Sequence, residues 1–455
     1  MTRRFSLRAG GLAAAVLLAT IVGAAAPARS ASDVAFTDTR LKNGLRVIIS
    51  EDHAAPVFSI AISYNVGSRD ERRGRTGFAH LFEHMMFKGS ENVGNGEHYT
   101  LVFNNGGNMN GTTNKDRTLY FETMPANQLD LALFLEADRM RSLAITKENL
   151  DNQRNAVQEE RRLGVDNQAY GRTFETVDSL AYSNFAYSHS VIGSMADLSA
   201  ASVEDVSEFF KTYYAPNNAV LAIVGDVNAA DVLIRIRKHF ESIPSQSPPP
   251  TVDTTEPAPS GEKRIALDDA LARATRLDIS YLVPPSSSAD EAALSVLSTI
   301  LSGGRSSRFY EQVVRQQQLA TSANAGTGES RGPGLFRVNI MVAPGKQPAD
   351  AEKAVMDEIE KIKAAPPAEW EMDKARANAQ RGAIAQMESS LSRAIQLSQN
   401  ALFYDDPGRI NTRVARIKAV KAADVQRVAA QYLTANNRSV IQTNPKTAAP
   451  GGGGL

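Results

Sequence analysis

Two of the chain's six histidines and a glutamate lie within five residues of one another in GFAHLFEHMMFKGS, Gly77 to Ser90. The apolar residues around them follow helical spacing, and residues four apart on a helix share a face, so His80 and His84 can direct two imidazoles at one ion. Glu83 lies at the edge of that face, within reach of a water on the ion. This set suits metal-assisted hydrolysis, in which a metal acidifies water and a carboxylate accepts its proton. The alternative is a core helix with two satisfied histidines, because a third ligand is missing.

A candidate third ligand lies in the segment NLDNQRNAVQEERRLG, which has an apolar side that includes Ala156 and Val157. Glu159 and Glu160 are adjacent there and point about 100° apart on a helix, so only one of them can face inward. Spacing alone leaves both open as ligands. A solvated, charged helix is the alternative.

The composition limits the function classes. A chain of 455 residues predicts two to three domains, and 42% hydrophobic with 22% charged residues is typical of globular proteins. Fifty basic residues balance fifty acidic ones, which argues against nucleic acid or an anionic membrane surface as partner. Because cysteine is absent, any metal must be held by histidine and carboxylate.

Residues 1–30 have the layout of an export signal. A basic start, MTRRFSLRAG, precedes the apolar run GLAAAVLLATIVGAAA and small residues that allow cleavage after Ala28 or Ser30. The run is short for a membrane span, and no later stretch approaches 18 apolar residues. We therefore predict a periplasmic protein without stable membrane insertion after cleavage, with an uncleaved anchor as the alternative. Arg3 and Arg4 loosely resemble a twin-arginine signal.

The Pro- and Ser-rich segment 244–262 predicts a semi-rigid linker between an N-terminal domain, 31–243, and a C-terminal domain, 263–445. A disordered tail is predicted for 446–455. FFKTYYAPNNAVLAIVGD near the end of the first half and VAAQYLTANNRSVIQTNP at the end of the second share a helix, an Asn-Asn pair and an apolar strand, which indicates duplication. At the strand openings, the first half shows two β-rich runs and the second half one, RATRLDISYLVPPSS.

Strands and long helices alternate within each half. FSIAISYNVGS and RTLYFETMP have strand patterns, whereas NQLDLALFLEADRMRSL, DVSEFFKTYY and AEKAVMDEIEKIKAA have helical ones. These patterns predict an α+β fold made twice, an α/β sandwich in which helices cover one face of each sheet.

The motif HLFEH, followed 76 residues after its second histidine by Glu160 in QRNAVQEE, resembles the pitrilysin family of zinc peptidases. That family includes insulin-degrading enzyme and the mitochondrial processing peptidase. The resemblance extends over nearly the whole mature chain, through NNGGNMNGTTNKDRTLYFETMP, YSHSVIGSMADL and YYAPNNAVLAIVGDV to LSGGRSSRFYEQVV in the second half.

The resemblance implies one Zn²⁺ per chain, with His80, His84 and Glu160 as metal ligands and Glu83 as the catalytic base. It selects Glu160 over Glu159, although a His₂Glu set alone does not separate zinc from manganese. It also implies two homologous domains that form half of a clamshell around a peptide substrate. Asn110 falls where the family's edge strand meets the substrate, and a turn residue is the alternative for it.

Two departures from the family pattern stand out. Gln153 occupies the position of an acid that would tune the orientation and basicity of the ligand glutamate; an amide retains hydrogen bonding without the charge. In the second half, Val314 and Thr321 stand where self-sufficient family members carry an Arg and a Tyr that grip the substrate, and Arg315 is one residue out of place. We therefore predict a homologous, non-identical subunit that supplies the Arg and Tyr.

The sequence thus predicts an exported zinc endopeptidase that cleaves peptides or unfolded segments, as the catalytic subunit of a heterodimer. The alternative is a non-catalytic or homodimeric scaffold or binding member of the family. The remaining polar residues are predicted to lie outside the metal site. His53, His98 and His189 have turn-like contexts. Tyr187 and His189 are predicted to have loop roles, with lining of the chamber as the alternative, and Arg308 is predicted to brace its Gly-rich turn rather than to contact substrate.

Overall fold

The structure is a computed structural model that describes residues 33–446. The predicted signal, 1–30, and the predicted tail beyond Lys446 lie outside the described residues. Eleven strands within the described part of the chain form two sheets. The strands are β1 Thr37–Arg40, β2 Arg46–Glu51, β3 Val57–Tyr64, β4 Asn108–Thr113, β5 Thr118–Pro125, β6 Ala219–Gly225, β7 Lys263–Asp269, β8 Arg276–Val283, β9 Ala320–Thr327, β10 Gly334–Val342 and β11 Arg438–Pro445.

Fifteen α-helices accompany the strands in residues 33–446. They are α1 Phe78–Met85, α2 Glu97–Asn104, α3 Leu129–Arg141, α4 Lys147–Arg161, α5 Gly171–Ala181, α6 Phe185–Ser188, α7 Met195–Ser199, α8 Val203–Tyr213, α9 Ala229–Phe240, α10 Glu291–Ser302, α11 Pro348–Ala364, α12 Glu369–Glu388, α13 Ser390–Tyr404, α14 Arg409–Lys418 and α15 Ala422–Tyr432. Two π-helical segments, Arg162–Asp166 and Phe309–Gln316, follow α4 and precede β9. In the described residues no helix has the length and hydropathy to cross a bilayer.

The two sheets share one strand order. The first runs β1-β2-β6-β3-β5-β4 and the second β7-β11-β8-β10-β9. In each, one pair is parallel, β2 with β6 and β7 with β11, and the other neighbours are antiparallel. Apart from the added edge strand β1, the sheets therefore match strand for strand, as duplication predicts, and the α+β fold is confirmed.

Strand β7 was not predicted from the sequence. One β-rich run was predicted at the start of the second half, whereas the structure has two, β7 and β8. β7, with the sequence KRIALDD, lies at the sheet edge, and every second side chain along it is exposed. Its charged residues remove the apolar signal on which the prediction depended, and pairing with β11 holds the strand instead.

The predicted sandwich with helices on one face was incomplete, because each sheet is covered on both faces. The second face of the first sheet receives α13, from the C-terminal half, and the second face of the second sheet receives α5, from the N-terminal half. Hydrogen bonds accompany both contacts, Ser63 to Ser398 at 2.9 Å and Thr173 to Thr443 at 2.6 Å between hydroxyl oxygens. Each half thus completes the core of the other.

The predicted domain boundaries stay predictions. Residues 244–260 contain neither helix nor strand. The carboxylate of Glu256 nevertheless accepts hydrogen bonds from the backbone N–H groups of Ser183 and Asn184, so this part of the predicted linker is docked on the first half.

Truncation of Leu397 tests whether packing of α13 on the first sheet contributes to stability. This α13 side chain is fully buried against the first sheet, so Leu397→Ala is expected to lower the free energy of unfolding by about 2–5 kcal/mol. Leu271→Ala, at a half-exposed position between β7 and β8, is the matched control and should change it by less than about 0.5 kcal/mol. Urea titration followed by circular dichroism measures both. Equal effects of the two substitutions would contradict the packing role of α13.

Candidate metal centre

Helix α1 carries both histidines of the motif, and contacts at its N-terminus fix where the helix begins. Gly77, at φ +85°, precedes it, and a Cβ there would lie 2.6 Å from the carbonyl oxygen of Ile192. The carboxylate of Glu71 accepts hydrogen bonds from the backbone N–H groups of Gly77 and Ala79, at 2.9 and 2.8 Å. A negative charge at this end satisfies free N–H groups and suits the helix dipole, so Glu71 holds the turn that precedes His80.

Helix α4 packs against α1 and brings a carboxylate to the two imidazoles. Glu160 Oε2 lies 3.6 Å from His80 Nε2 and 3.3 Å from His84 Nε2. The ligand atoms of all three residues lie within 4.8 Å of one another. Glu159 points elsewhere and pairs with Arg162 at 3.0 Å. Of the two candidate glutamates, the fold brings Glu160 to the histidines.

The electrostatics of this cluster favour the protonation states in which the side chains can bind a cation. Burial, reinforced by the nearby His84, lowers the pKa of His80 to about 4, so its imidazole is neutral at pH 7. The hydrogen bond from His84 lowers the pKa of Glu160, which keeps the carboxylate ionised. Neutral imidazole and ionised carboxylate are the forms that ligate Zn²⁺. Three converging N and O donors on two helices that pack together therefore fit a zinc ion, and Glu160, half-exposed, leaves the site open to solvent.

Glu83 is buried beside this cluster and is held by strand β4. Thr113 Oγ1 donates a hydrogen bond to Glu83 Oε2 at 2.6 Å. A Cβ at Gly111 would lie 2.9 Å from Glu83 Cγ and Oε1, so glycine allows the close approach of strand and carboxylate. Burial raises the pKa of Glu83, as suits a group that accepts and returns a proton. Sequence reasoning missed Thr113 and Gly111, although both lie in NMNGTTN.

Comparisons with known proteins agree on one family. Residues 46–194 match the model of Insulinase (Peptidase family M16), and residues 200–379 match that of the Peptidase M16 inactive domain. The zinc protease PqqE of Helicobacter pylori is 30% identical over 411 residues, covering 89% of this chain and 92% of PqqE. This chain belongs to peptidase family M16, the pitrilysin family. The residues matched by the inactive-domain model lie outside the His-x-x-Glu-His motif and Glu160.

Two further relatives extend the match. The crystal structure of a protease from Helicobacter pylori superposes with a TM-score of 0.87 at 29% identity, over 90% of this chain and all of that one. The probable mitochondrial-processing peptidase subunit beta of Arabidopsis thaliana is 26% identical over 424 residues, covering 90% of this chain and 78% of that one. The M16 assignment therefore rests on both sequence and fold.

A second group of metal-type ligands lies deeper in this M16 chain. His98, Glu122 and Glu136 are buried, and His98 Nε2 lies 3.9 Å from Glu122 Oε2. Arg139 is paired with Glu136 and already supplies a positive charge. Because a hydrolytic metal needs an open position for water, this closed group does not compete with the first. The prediction of a turn-like context for His98 was wrong, since the residue lies within α2.

The other two histidines considered in the sequence are paired with carboxylates away from the candidate ligands. His53 Nδ1 lies 2.6 Å from Asp226. His189 Nε2 lies 3.0 Å from Glu71 Oε2, and thereby adds to the brace at the start of α1. Sequence reasoning assigned His189 a loop role and missed Glu71, because their contact joins residues 118 positions apart.

Tyr187 and Arg308 make contacts that the sequence did not predict, and Tyr187 lies in the short helix α6 rather than in a loop. The Tyr187 hydroxyl is buried and donates to Asp116 at 2.5 Å, while it accepts from the backbone N–H of Gly332 in the second half. Arg308 makes two hydrogen bonds to the carboxylate of Glu371 on α12, at 2.7 and 2.8 Å. Both residues thus have structural partners.

Asn110 and Gln153 lie on the two elements that flank the motif helix. Asn110 is exposed on β4, an edge strand of the first sheet, and its side-chain oxygen accepts from the N–H of Gly111 at 2.8 Å. Gln153 is buried on α4, where its amide nitrogen donates to Asn152 Oδ1 at 2.6 Å. Their predicted roles, substrate contact and support of the ligand glutamate, stay predictions.

The family's Arg and Tyr positions carry side chains that cannot replace them. Val314 is partly buried against the core of the second half. Thr321, exposed on the edge strand β9, donates to the carbonyl oxygen of Met341 at 3.3 Å. The neighbouring Arg315 is mostly exposed and pairs with Glu311 at 2.9 Å. No guanidinium or phenol stands at either position.

Proposed function

We propose that this chain is the catalytic subunit of an exported, heterodimeric zinc endopeptidase. The observation that carries the proposal is the convergence of His80, His84 and Glu160, with Glu83 buried beside them. Family M16 relatives named zinc proteases support the choice of metal and reaction class. The predicted signal at 1–30 supports export to the periplasm.

His80, His84 and Glu160 would hold one Zn²⁺, which when bound supplies Lewis acidity that makes a water more acidic. Glu83 accepts the proton of the attacking water and returns it to the amine of the departing peptide. Thr113 fixes the orientation of Glu83 through its hydroxyl, and Gly111 leaves room for the carboxylate. Acceptance and return of the proton by one group account for hydrolysis of a peptide bond without a second acid.

The substrate would bind in extended form along β4. This strand is paired with β5 on one side only, so its other edge offers backbone donors and acceptors to a peptide. Asn110 lies on that strand and is proposed to contact the substrate. In strand addition the affinity comes from hydrogen bonds to the substrate backbone. The backbone must be free to form them, so peptides and unfolded segments are favoured over folded proteins.

A second, homologous subunit would complete the site. Because Val314 has no donor and the Thr321 hydroxyl already donates to the Met341 carbonyl oxygen, the Arg and Tyr are proposed to come from a non-identical partner. Preorganised donors aimed at a developing oxyanion contribute about 10²–10³ in kcat each, so their absence would leave this chain slow by itself.

The test compares the chain alone with the chain purified together with its homologous partner, on a quenched-fluorescent extended peptide. We expect kcat/KM of the isolated chain to be at least about 100-fold lower, with about one Zn²⁺ bound in both samples. Full activity of the isolated chain would contradict the heterodimer. Bound zinc without hydrolysis in either sample would instead favour the scaffold alternative.

A further inference from the structure

A cavity of about 300 Å³ lies in the second half, apart from the candidate metal centre. It is lined by α10, α12, α13, α14, the end of β8 with the loop that follows it, and the end of β9 with the loop that follows it. Its lining contains no residue of the His80, His84 and Glu160 cluster. The cavity is therefore a separate feature of the fold.

The cavity carries an excess of positive charge. Three of its lining residues, Arg409, Arg413 and Arg416, recur at helical spacing along α14 and share a face. Two carboxylates also line the cavity, Glu291 and Glu329. Three arginines against two glutamates leave one positive charge uncompensated.

Both carboxylates already have partners. Glu291 accepts from Arg416 Nη1 at 3.3 Å, and Glu329 is held by the Tyr404 hydroxyl and the Gln399 amide. Within the described residues, Arg409 has no ion pair with a carboxylate, and its guanidinium lies 3.7 Å from the centroid of the Tyr404 ring. Arg413 likewise has no carboxylate partner in that part of the chain, but it is exposed and donates to Gln386 Oε1 at 3.1 Å. Arg409, which is partly buried, is thus the charge that a ligand in the cavity could match.

The cavity is also short of hydrogen-bond acceptors. Three buried nitrogens of lining residues have no acceptor among residues 33–446, namely Gln396 Nε2, Arg409 Nε and Arg416 Nε. All three are donors, and a buried donor without an acceptor is destabilising. Burial, together with the nearby Arg409, lowers the pKa of Arg416, which a bound negative charge would reverse. Charge and hydrogen bonding therefore point to the same kind of occupant.

We propose that this cavity binds a small anion that bears a carboxylate or phosphate group. Both groups match the fork of a guanidinium and supply the acceptors that the lining lacks. A volume of about 300 Å³ is at the lower end for small-molecule sites, which limits the ligand to a compact metabolite-sized anion.

One lining residue of the cavity contacts the first half of the chain. Gln399 of the lining accepts a hydrogen bond from Arg117 Nε at 3.3 Å, and Arg117 Nη1 donates to the carbonyl oxygen of Thr112 on β4. Because α13 packs on the first sheet, a ligand that orders the cavity would stabilise the contact between the halves. Binding is therefore expected to raise the unfolding temperature.

Isothermal titration calorimetry of the mature chain with two probes, inorganic phosphate and succinate, tests the proposal and distinguishes the two anion chemistries. We expect at least one probe to bind with one site per chain. Arg409→Gln and Gln396→Leu should each weaken binding by about tenfold or more, because each removes a donor to the anion. Arg381→Gln, at an exposed position on α12 outside the cavity, is the matched control and should leave binding unchanged.

Two results would overturn the proposal. One is the absence of saturable binding of both probes up to about 10 mM at constant ionic strength, since metabolite sites bind within that range. The other is binding that persists unchanged in Arg409→Gln or Gln396→Leu, which would place the anion elsewhere, including at the metal centre. Gln396→Leu nearly conserves volume and leaves charge unchanged, so it carries the test if the arginine variant does not fold.

Discussion

Glu83→Gln is expected to lower kcat for an extended peptide by about 10³-fold while the chain keeps its zinc. The amide nearly conserves the volume of the buried side chain and can still bond to Thr113, but it cannot accept the proton of the attacking water. Loss of a general base of this kind removes about 10²–10⁴ in rate, and here the same group also returns the proton. Because Glu83 is not among the three converging ligands, metal content should not change.

The measurement is kcat on the assembled enzyme, together with zinc content by atomic emission. Glu91→Gln, at an exposed position after α1, is the matched control and should leave both quantities unchanged. Retention of activity by Glu83→Gln would refute the assignment of the base. A parallel loss of zinc would indicate instead that Glu83 supports metal binding.

The sequence predicted the cluster of candidate ligands better than the residues that hold it in place. His80 and His84 follow from helical spacing, which is a local property of α1. The choice between Glu159 and Glu160 did not follow from spacing, because the apolar side indicated by Ala156 and Val157 contains one exposed and one buried residue in the structure. The buried residues of α4 are Asn149, Leu150, Gln153 and Val157, and the stripe formed by the last three continues at Glu160.

The features that were not predicted from the sequence share one physical cause: their partners lie far away along the chain. Glu71 with His189, and α13 with the first sheet, are contacts that no period or local propensity records. Strand β7 was missed because pairing with β11, rather than apolar side chains, holds it. Helices and strands with a clear buried face, such as α3 and β5, were predicted within a few residues because burial itself imposes the period.

The paired variants Glu160→Gln and Glu159→Gln test the third ligand by metal content. Loss of a residue that only orients a ligand weakens metal binding about 10–100-fold, so loss of the ligand itself should lower zinc affinity by more than about 100-fold. Glu160→Gln removes the carboxylate that lies 3.6 and 3.3 Å from the two imidazoles. Glu159→Gln makes the same change one residue away, where the side chain pairs with Arg162, and should leave affinity unchanged.

Zinc affinity is measured by competition with a chromophoric chelator at pH 7.5, where His80 is neutral and Glu160 ionised. Only the carboxylate aimed at the histidines should matter, since both variants lose one charge from the same turn of α4 and long-range electrostatics affects them alike. Equal losses in the two variants would mean that charge, and not coordination, governs binding. A loss confined to Glu159→Gln would mean that α4 is rotated about its axis by about 100° relative to this structure.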